Sequence, residues 1–201
     1  MHKLRIGWMA CLLPALAHGQ EVPPPGAIVC WQEHRKLTLD DFQAPRRPDL
    51  ASQDSVAGTF LGAVTQAKAV VYDVLQTGVR QQTSVSVEFS KTGSWLNRTT
   101  PQDLAYTLAH EQLHFDIVEL TGRKIRRVLA HYTAIGKPLD GPNITAEISC
   151  IYEEEADLQN LYEEETRTGN DVAQQGRWTA LVHRSLQQFS PYASTAADCV
   201  R

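Results

Sequence analysis

One uninterrupted helical segment constrains the fold of this chain more than any other feature. The sequence has no proline between Pro101 and Pro138. Thr100 suits an N-cap, and Pro101 suits the first helical position. Apolar residues then recur at roughly helical spacing, namely Leu104, Leu108, Phe115, Val118, Ile125 and Leu129. The pattern predicts a helix from Pro101 to about His131.

The sequence before this helix favours strands. "TSVSVEF" alternates cleanly, so Val85, Val87 and Phe89 are expected to face one side of a sheet. "RKLTLDDF" also alternates and then turns at its two aspartates. Residues 56–75 fit either two strands with a turn or one strand and a poor helix. We therefore expect an antiparallel or mixed β-sheet in the N-terminal part.

Two further helices are predicted after "GKPLDGPN". One runs from about Ile144 to Thr168, with Gly169 as a plausible C-cap. The other covers residues 171–189 and ends before Pro191. Strands followed by helices indicate an α+β fold, in which the helix from Pro101 is the first of three.

The N-terminus has the layout of a secretory signal peptide. Lys3 and Arg5 precede an apolar run over residues 6–17, and small residues follow, with Ala17 and Gly19 as possible cleavage positions. The run is too short for a bilayer-spanning helix of roughly 20 residues. We expect residues 1–19 to be removed and residues 20–201 to form one domain, exported to the periplasm or medium of a bacterium.

Charge and composition exclude some partners. Removing Lys3 and Arg5 changes the net charge from −4 to −6. The chain therefore lacks the excess of positive charge that is typical of nucleic-acid-binding domains. No later segment is apolar enough to predict membrane insertion of the mature chain. The oligomeric state is not indicated.

Three cysteines remain after the predicted cleavage. Export permits a disulfide, and three thiols leave one over. A bond between Cys150 and Cys199 is the favoured pairing, because it would fasten the C-terminus. The spacing of Cys30, Cys150 and Cys199 fits no zinc-binding motif.

The central motif is "HEQLH" within the first predicted helix. His110 and His114 are four residues apart and share a helix face, so both imidazoles can bind one metal ion. Glu111 lies about 100° around the axis, which suits a general base better than a third ligand. Zinc lowers the pKa of its bound water to near 7, and a carboxylate can then take the proton. The spacing thus predicts a zinc site with Glu111 as catalytic residue.

The longer stretch "HEQLHFDIVELTGRKIRRVL" closely resembles the signature of a family of predicted bacterial secreted zinc-dependent proteases. The family pattern, H-E-Q-x-H-F-D-I-x-E, is matched at every fixed letter. "LTLDDF" at 37–42 is similar to its L-T-W-D-D-F, and Ser94-Trp95 precedes the helix as in the family. "YEEETRTG" at 162–169 is similar to its Y-D-x-E-T-x-H-G, and Trp178 follows as expected. The resemblance covers most of the mature chain and implies a zincin-like metallopeptidase that cleaves a peptide or protein substrate.

The resemblance also suggests where the third zinc ligand lies. Glu163 and Glu165 occupy the matched segment, but two residues on a helix differ by roughly 200°, so both cannot face one ion. The sequence leaves the choice open. Glu163 replaces an aspartate of the family pattern, and Thr168 replaces its histidine.

Residues around the motif suggest supporting roles. Asp116 and Glu119 are candidates for carboxylates that support the histidines or the scaffold, because metal-bound histidines usually donate their other N–H to a carboxylate or carbonyl. His183 is a surface residue or an oxyanion donor.

Three functions remain compatible with the sequence. The first is an exported zinc metallopeptidase, favoured by the intact Glu111. The second is a non-catalytic zinc-binding or structural envelope protein on the same scaffold, favoured by the loss of the histidine at Thr168. The third is a hydrolase acting on cell-wall peptides with the same zinc chemistry.

Overall fold

The computed structural model describes residues 26–45, 57–58, 67–75, 78–96, 101–139, 141–167 and 169–199. The predicted signal peptide, the predicted N-cap Thr100 and the divergent Thr168 lie outside these residues. Within them the fold is α+β, as predicted: short antiparallel strand pairs precede three packed helices.

The described residues contain six strands that pair two by two, and every pair is antiparallel. β1 pairs with β5, β2 with β6, and β3 with β4. Residues 56–75 are expected from the sequence to form either two strands or one strand and a poor helix. The described residues in this range form two strands. The strands are β1 Ile28–Cys30, β2 Ala57–Gly58, β3 Ala67–Leu75, β4 Gly78–Val85, β5 Glu88–Ser90 and β6 Trp95–Leu96.

The predicted turn at the two aspartates of "RKLTLDDF" is confirmed, because Leu39–Asp41 forms one turn of 3-10 helix. The strand predicted before this turn is wrong, because residues 36–38 belong to no strand. The buried Asp41 carboxylate accepts bonds from the Thr38 N–H and hydroxyl and is paired with Arg35. Such local side-chain bonds compete with a strand ladder. Leu37 is consequently buried, while Leu39 is exposed.

The three helices begin close to their predicted positions. They are α1 Pro101–Ala134, α2 Pro142–Thr166 and α3 Val172–Gln188. Asp171 caps α3 by accepting a bond from the Gln174 N–H at 3.0 Å. Gly169 is not the C-cap of α2: Arg167 takes that position in the left-handed region, with φ of 50°.

α1 is the central element of the fold. It packs against both α2 and α3, and its middle part is buried on all sides from His110 to Arg123. The larger apolar cluster joins α1 to α3 and to the strands and loops before it, and includes Trp31, Phe89, Phe115, Ile117 and Trp178. A second cluster joins the end of α1 to α2 through residues such as Ile125 and Ile144. None of the helices in the described part of the chain is apolar enough over sufficient length to cross a lipid bilayer.

The predicted bond between Cys150 and Cys199 is wrong. Cys150 has a free thiol on the exposed side of α2. Cys30 is disulfide-bonded instead.

A close approach of α1 to the strand region gives a stability prediction. A Cβ at Gly122 would lie 2.6 Å from Val87 Cγ2, whereas a Cβ at Gly176 in α3 meets nothing within 4 Å. We expect Gly122→Ala to lower the free energy of unfolding by about 1–3 kcal/mol through overpacking. The matched Gly176→Ala should raise it by roughly 0.5–1 kcal/mol, because alanine favours helix. Urea unfolding of the two variants measures both, and equal effects would contradict this packing.

Candidate metal centre

The buried middle of α1 is unusually polar. Burying polar groups costs free energy unless they are hydrogen-bonded or paired. Eight such residues lie between His110 and Arg123, namely His110, Glu111, Gln112, His114, Asp116, Glu119, Thr121 and Arg123. The concentration of polar groups in the central helix requires either structural partners or a function for each of them.

Three of the polar side chains converge on one point. His110 and His114, on one face of α1, bring their Nε2 atoms within 3.1 Å of each other. Glu163 of α2 places its Oε1 2.8 Å from His114 Nε2 and 3.5 Å from His110 Nε2. These three residues form a group that could hold a metal ion.

The donor set fits a divalent transition metal. Two imidazole nitrogens and one carboxylate are ligands that zinc accepts in catalytic sites, where three protein ligands leave one position open. The second oxygen of Glu163, Oε2, is buried and has no hydrogen-bond partner among the described residues. An unsatisfied buried carboxylate oxygen beside two facing imidazole nitrogens is the environment that a cation would complete.

Both histidines are held through their other ring nitrogen. His110 Nδ1 lies 3.2 Å from Gln175 Oε1 and 2.8 Å from the Tyr162 hydroxyl. His114 Nδ1 lies 2.5 Å from Gln159 Oε1. Tyr162 is fully buried and stacks on His110 at 4.8 Å between ring centroids. These contacts direct both Nε2 atoms toward Glu163.

The pKa values of the group show how strongly its charges interact. Burial alone would raise the pKa of Glu163, but hydrogen bonds from His110 and His114 hold it at about 2. Burial would lower the pKa of His114, yet the bond to Glu163 and the nearby Glu111 carboxylate raise it above its ordinary value. Without metal, His114 and Glu163 therefore form an ion pair.

This ion pair predicts opposite pH responses with and without metal. The raised pKa of His114 contributes stability that is fully present below pH 6.5 and is lost as pH rises through the folded-state pKa. The lowered pKa of Glu163 contributes stability that is present above pH 4.5 and is lost as pH falls toward about 2. In chelator, the melting temperature should thus peak between these values. In excess zinc, the increase caused by the metal should grow with pH, because protons compete for the ligands.

Thermal melts across pH, in chelator and in zinc, test this expectation. Glu163→Gln is the control, since it removes the ion pair and should weaken both trends. A melting temperature in chelator that stays constant from pH 4.5 upward in the unsubstituted protein would contradict it.

Glu111 lies beside the group rather than in it. Its side chain is 3% exposed, and its charge raises the pKa values of both His114 and Tyr162. Burial is the largest cause of the raised pKa of Tyr162, which keeps that hydroxyl protonated. The carboxylate of Glu111 is thus near His114, while the atoms that could hold a metal ion come from other residues.

The sequence leaves open whether Glu163 or Glu165 is the third ligand, and the two side chains have different positions in the structure. Glu163 joins the histidines, whereas Glu165 is exposed and accepts a 2.8 Å hydrogen bond from Trp178 Nε1. Glu165 therefore contacts α3 and does not join the group. Trp178, which the resemblance also singled out, fixes this second carboxylate.

The contacts of Asp116 and Glu119 are those of structural residues. Asp116 accepts bonds from Trp31 Nε1 and Gln112 Nε2, and not from either histidine of the group. Glu119 accepts bonds from Arg123 Nε and from the backbone N–H and hydroxyl of Ser194. Both carboxylates join α1 to other segments of the chain.

His183 is a surface residue, with its side chain 53% exposed and its Nε2 3.7 Å from Asp116 Oδ2. It lines a cavity of about 390 Å³ together with Trp31 and Lys36. Since neither His110 nor His114 lines this cavity, the position does not favour the alternative of an oxyanion donor at the metal group.

Sequence reasoning missed Gln159, Tyr162 and Gln175. Gln159 is four residues before Glu163 and so shares its helix face, a spacing that could have revealed it. Tyr162 begins the segment that resembles the family pattern. Gln175 lies on another helix, and no local signal marks it.

The turn between α2 and α3 lies against the metal group. A Cβ at Gly169 would come within 3.2 Å of the His110 ring, and the φ of Gly169 is +77°. Both observations explain a glycine at this position. The turn therefore closes one side of His110.

Comparison with known proteins adds no relative. The chain shows no match to a family model, a curated protein or a solved structure. The geometry of the site therefore carries the functional argument.

Proposed function

We propose that this protein is an exported zinc-dependent metallopeptidase. The observation that supports it most is the convergence of His110, His114 and Glu163, with an unsatisfied carboxylate oxygen in the same group. The HExxH spacing and the signal-peptide layout of residues 1–19 support the peptidase and its export. The resemblance to secreted zinc-dependent proteases is consistent with both.

Each residue has a distinct part in the proposed chemistry. His110, His114 and Glu163 would hold the zinc ion. When bound, zinc lowers the pKa of a water to near 7 and polarises a carbonyl. Glu111 takes the proton of the attacking water and passes it to the nitrogen of the leaving amine, which balances the hydrolysis of one peptide bond.

The proposed substrate is a peptide or protein outside the cytoplasm. Peptides of the cell wall belong to the same chemical class, because the bond cleaved is again an amide. We propose no membrane insertion of the mature chain, because its sequence after residue 19 contains no sufficiently apolar segment.

Two measurements test the proposal. Elemental analysis of the purified mature protein should find one equivalent of zinc. A broad peptide library, supplemented with cell-wall peptides, should show cleavage that a chelator abolishes and zinc restores. A full equivalent of zinc with no cleavage of any substrate would favour the zinc-binding envelope protein. Absence of bound metal at saturating zinc would reject the site itself.

A further inference from the structure

The two candidate ligand histidines have unusual partners behind them. Metal-bound histidines commonly donate their second N–H to a carboxylate, a backbone carbonyl or a water. Here His114 Nδ1 meets the amide oxygen of Gln159. His110 Nδ1 lies 2.8 Å from the Tyr162 hydroxyl and 3.2 Å from the amide oxygen of Gln175. The nearest expected carboxylate, Asp116, bonds to Trp31 and Gln112 instead.

The orientation of the Gln159 amide is determined by its neighbours. Its Nε2 donates to the His114 carbonyl at 3.3 Å. A carbonyl can only accept, so the other end of the amide, Oε1, must face His114 Nδ1. Nδ1 must then carry the proton. At Gln175, Oε1 also accepts a 2.6 Å bond from the Tyr162 hydroxyl.

Both glutamines make further contacts of their own. Gln175 is buried in α3, and the buried Tyr162 of α2 bridges it to His110. Gln159 in α2 also bonds to Glu155, one helical turn earlier, which is partly buried beside Thr121 of α1. α2 and α3 thus each hold one histidine of α1 from behind.

We infer that Gln159 and Gln175 are positioning residues that fix the Nδ1–H tautomer of His114 and His110 and present both Nε2 atoms to a metal ion. A neutral amide accepts a weaker hydrogen bond from Nδ1–H than a carboxylate would. The Nε2 atom of the imidazole is then less basic, and it binds the metal ion less strongly. Zinc affinity is consequently set below the value that carboxylate partners would give. The inference rests on the metal site of the proposed function and not on turnover.

Paired substitutions distinguish the loss of the hydrogen-bond acceptor from a change in side-chain packing. Gln159→Leu and Gln175→Leu keep most of the volume and remove the acceptor, and each should lower zinc affinity by about 10- to 100-fold. Gln159→Glu and Gln175→Glu restore an acceptor with a charge, and should bind zinc at least as tightly as the unsubstituted protein. Gln174→Leu is the matched control and should not change affinity, because the Gln174 side chain accepts a bond from Arg177 and none from either histidine of the group.

Competition with a chromophoric chelator measures the affinities, and metal-free thermal melts confirm folding. Nitrogen-15 NMR of the histidine rings should find the Nδ1–H tautomer for both residues in the zinc-loaded protein. If the leucine variants do not fold, the glutamate variants and the tautomers of the unsubstituted protein decide the matter.

The outcomes distinguish this inference from the proposed function. Unchanged zinc affinity in folded leucine variants, an Nε2–H tautomer in the zinc-loaded protein, or glutamate variants as weak as the leucine variants would each overturn the positioning role and leave the zinc site intact. Failure of the unsubstituted protein to bind zinc would instead overturn the proposed function, and the inference with it.

Discussion

Glu111→Gln is expected to bind one equivalent of zinc with unchanged affinity and to cleave peptides on the order of 10² to 10⁴ times more slowly. The substitution keeps the size of a side chain that is 3% exposed, so the packing of α1 should persist. It removes the proton acceptor that the proposed chemistry needs. The measurements are kcat/KM on a substrate identified from the library, and zinc content of the same preparation.

The control for this variant is Glu164→Gln, an exposed glutamate of α2. It should keep both zinc and activity. Loss of zinc together with activity in Glu111→Gln would make Glu111 a ligand or a structural residue. Full activity would place the chemistry elsewhere in the molecule.

Glu163→Gln is expected to weaken zinc binding by at least about 100-fold, or roughly 3 kcal/mol, because the third charged ligand is lost. His110→Ala and His114→Ala should lose most of the metal for the same reason. Glu165→Gln is the matched variant two residues away, and it should bind zinc normally. Its amide oxygen can still accept the bond from Trp178. Metal competition assays on the purified variants measure these affinities.

The Glu163 and Glu165 pair tests the choice between the two candidate ligands. If Glu165→Gln lost the metal while Glu163→Gln kept it, the third ligand would be Glu165 and α2 would be rotated relative to the arrangement described above. Equal losses in both variants would indicate that the acidic segment acts through its charge.

Much of the architecture could be predicted because its causes are local. A proline-free periodic segment after Pro101 predicts a helix to about His131, and α1 ends at Ala134. Asp171 precedes α3 as a capping residue should. His110 and His114 share a face because helical geometry puts residues four apart on one side. The failure at Leu39–Asp41 was also local, since side-chain bonds to Asp41 replaced the strand that alternation suggested.

The third member of the metal group could not be predicted in this way. Glu163 and Glu165 point roughly 200° apart, and helical periodicity does not say which side of α2 meets α1. The burial of Tyr162 and Thr166 against the rest of the molecule sets that rotation and brings Glu163 to the histidines. Only packing between the helices made the choice.

The sequence by itself determined the helices, the spacing of the two histidines and the position of Glu111 between them. The tertiary structure decided what surrounds them. His114 meets Gln159 45 residues later, and His110 meets Gln175 65 residues later. Hydrogen bonds between side chains so far apart depend on how whole helices cross and rotate, and the free energy that sets those crossings comes from burying apolar surface elsewhere in the molecule.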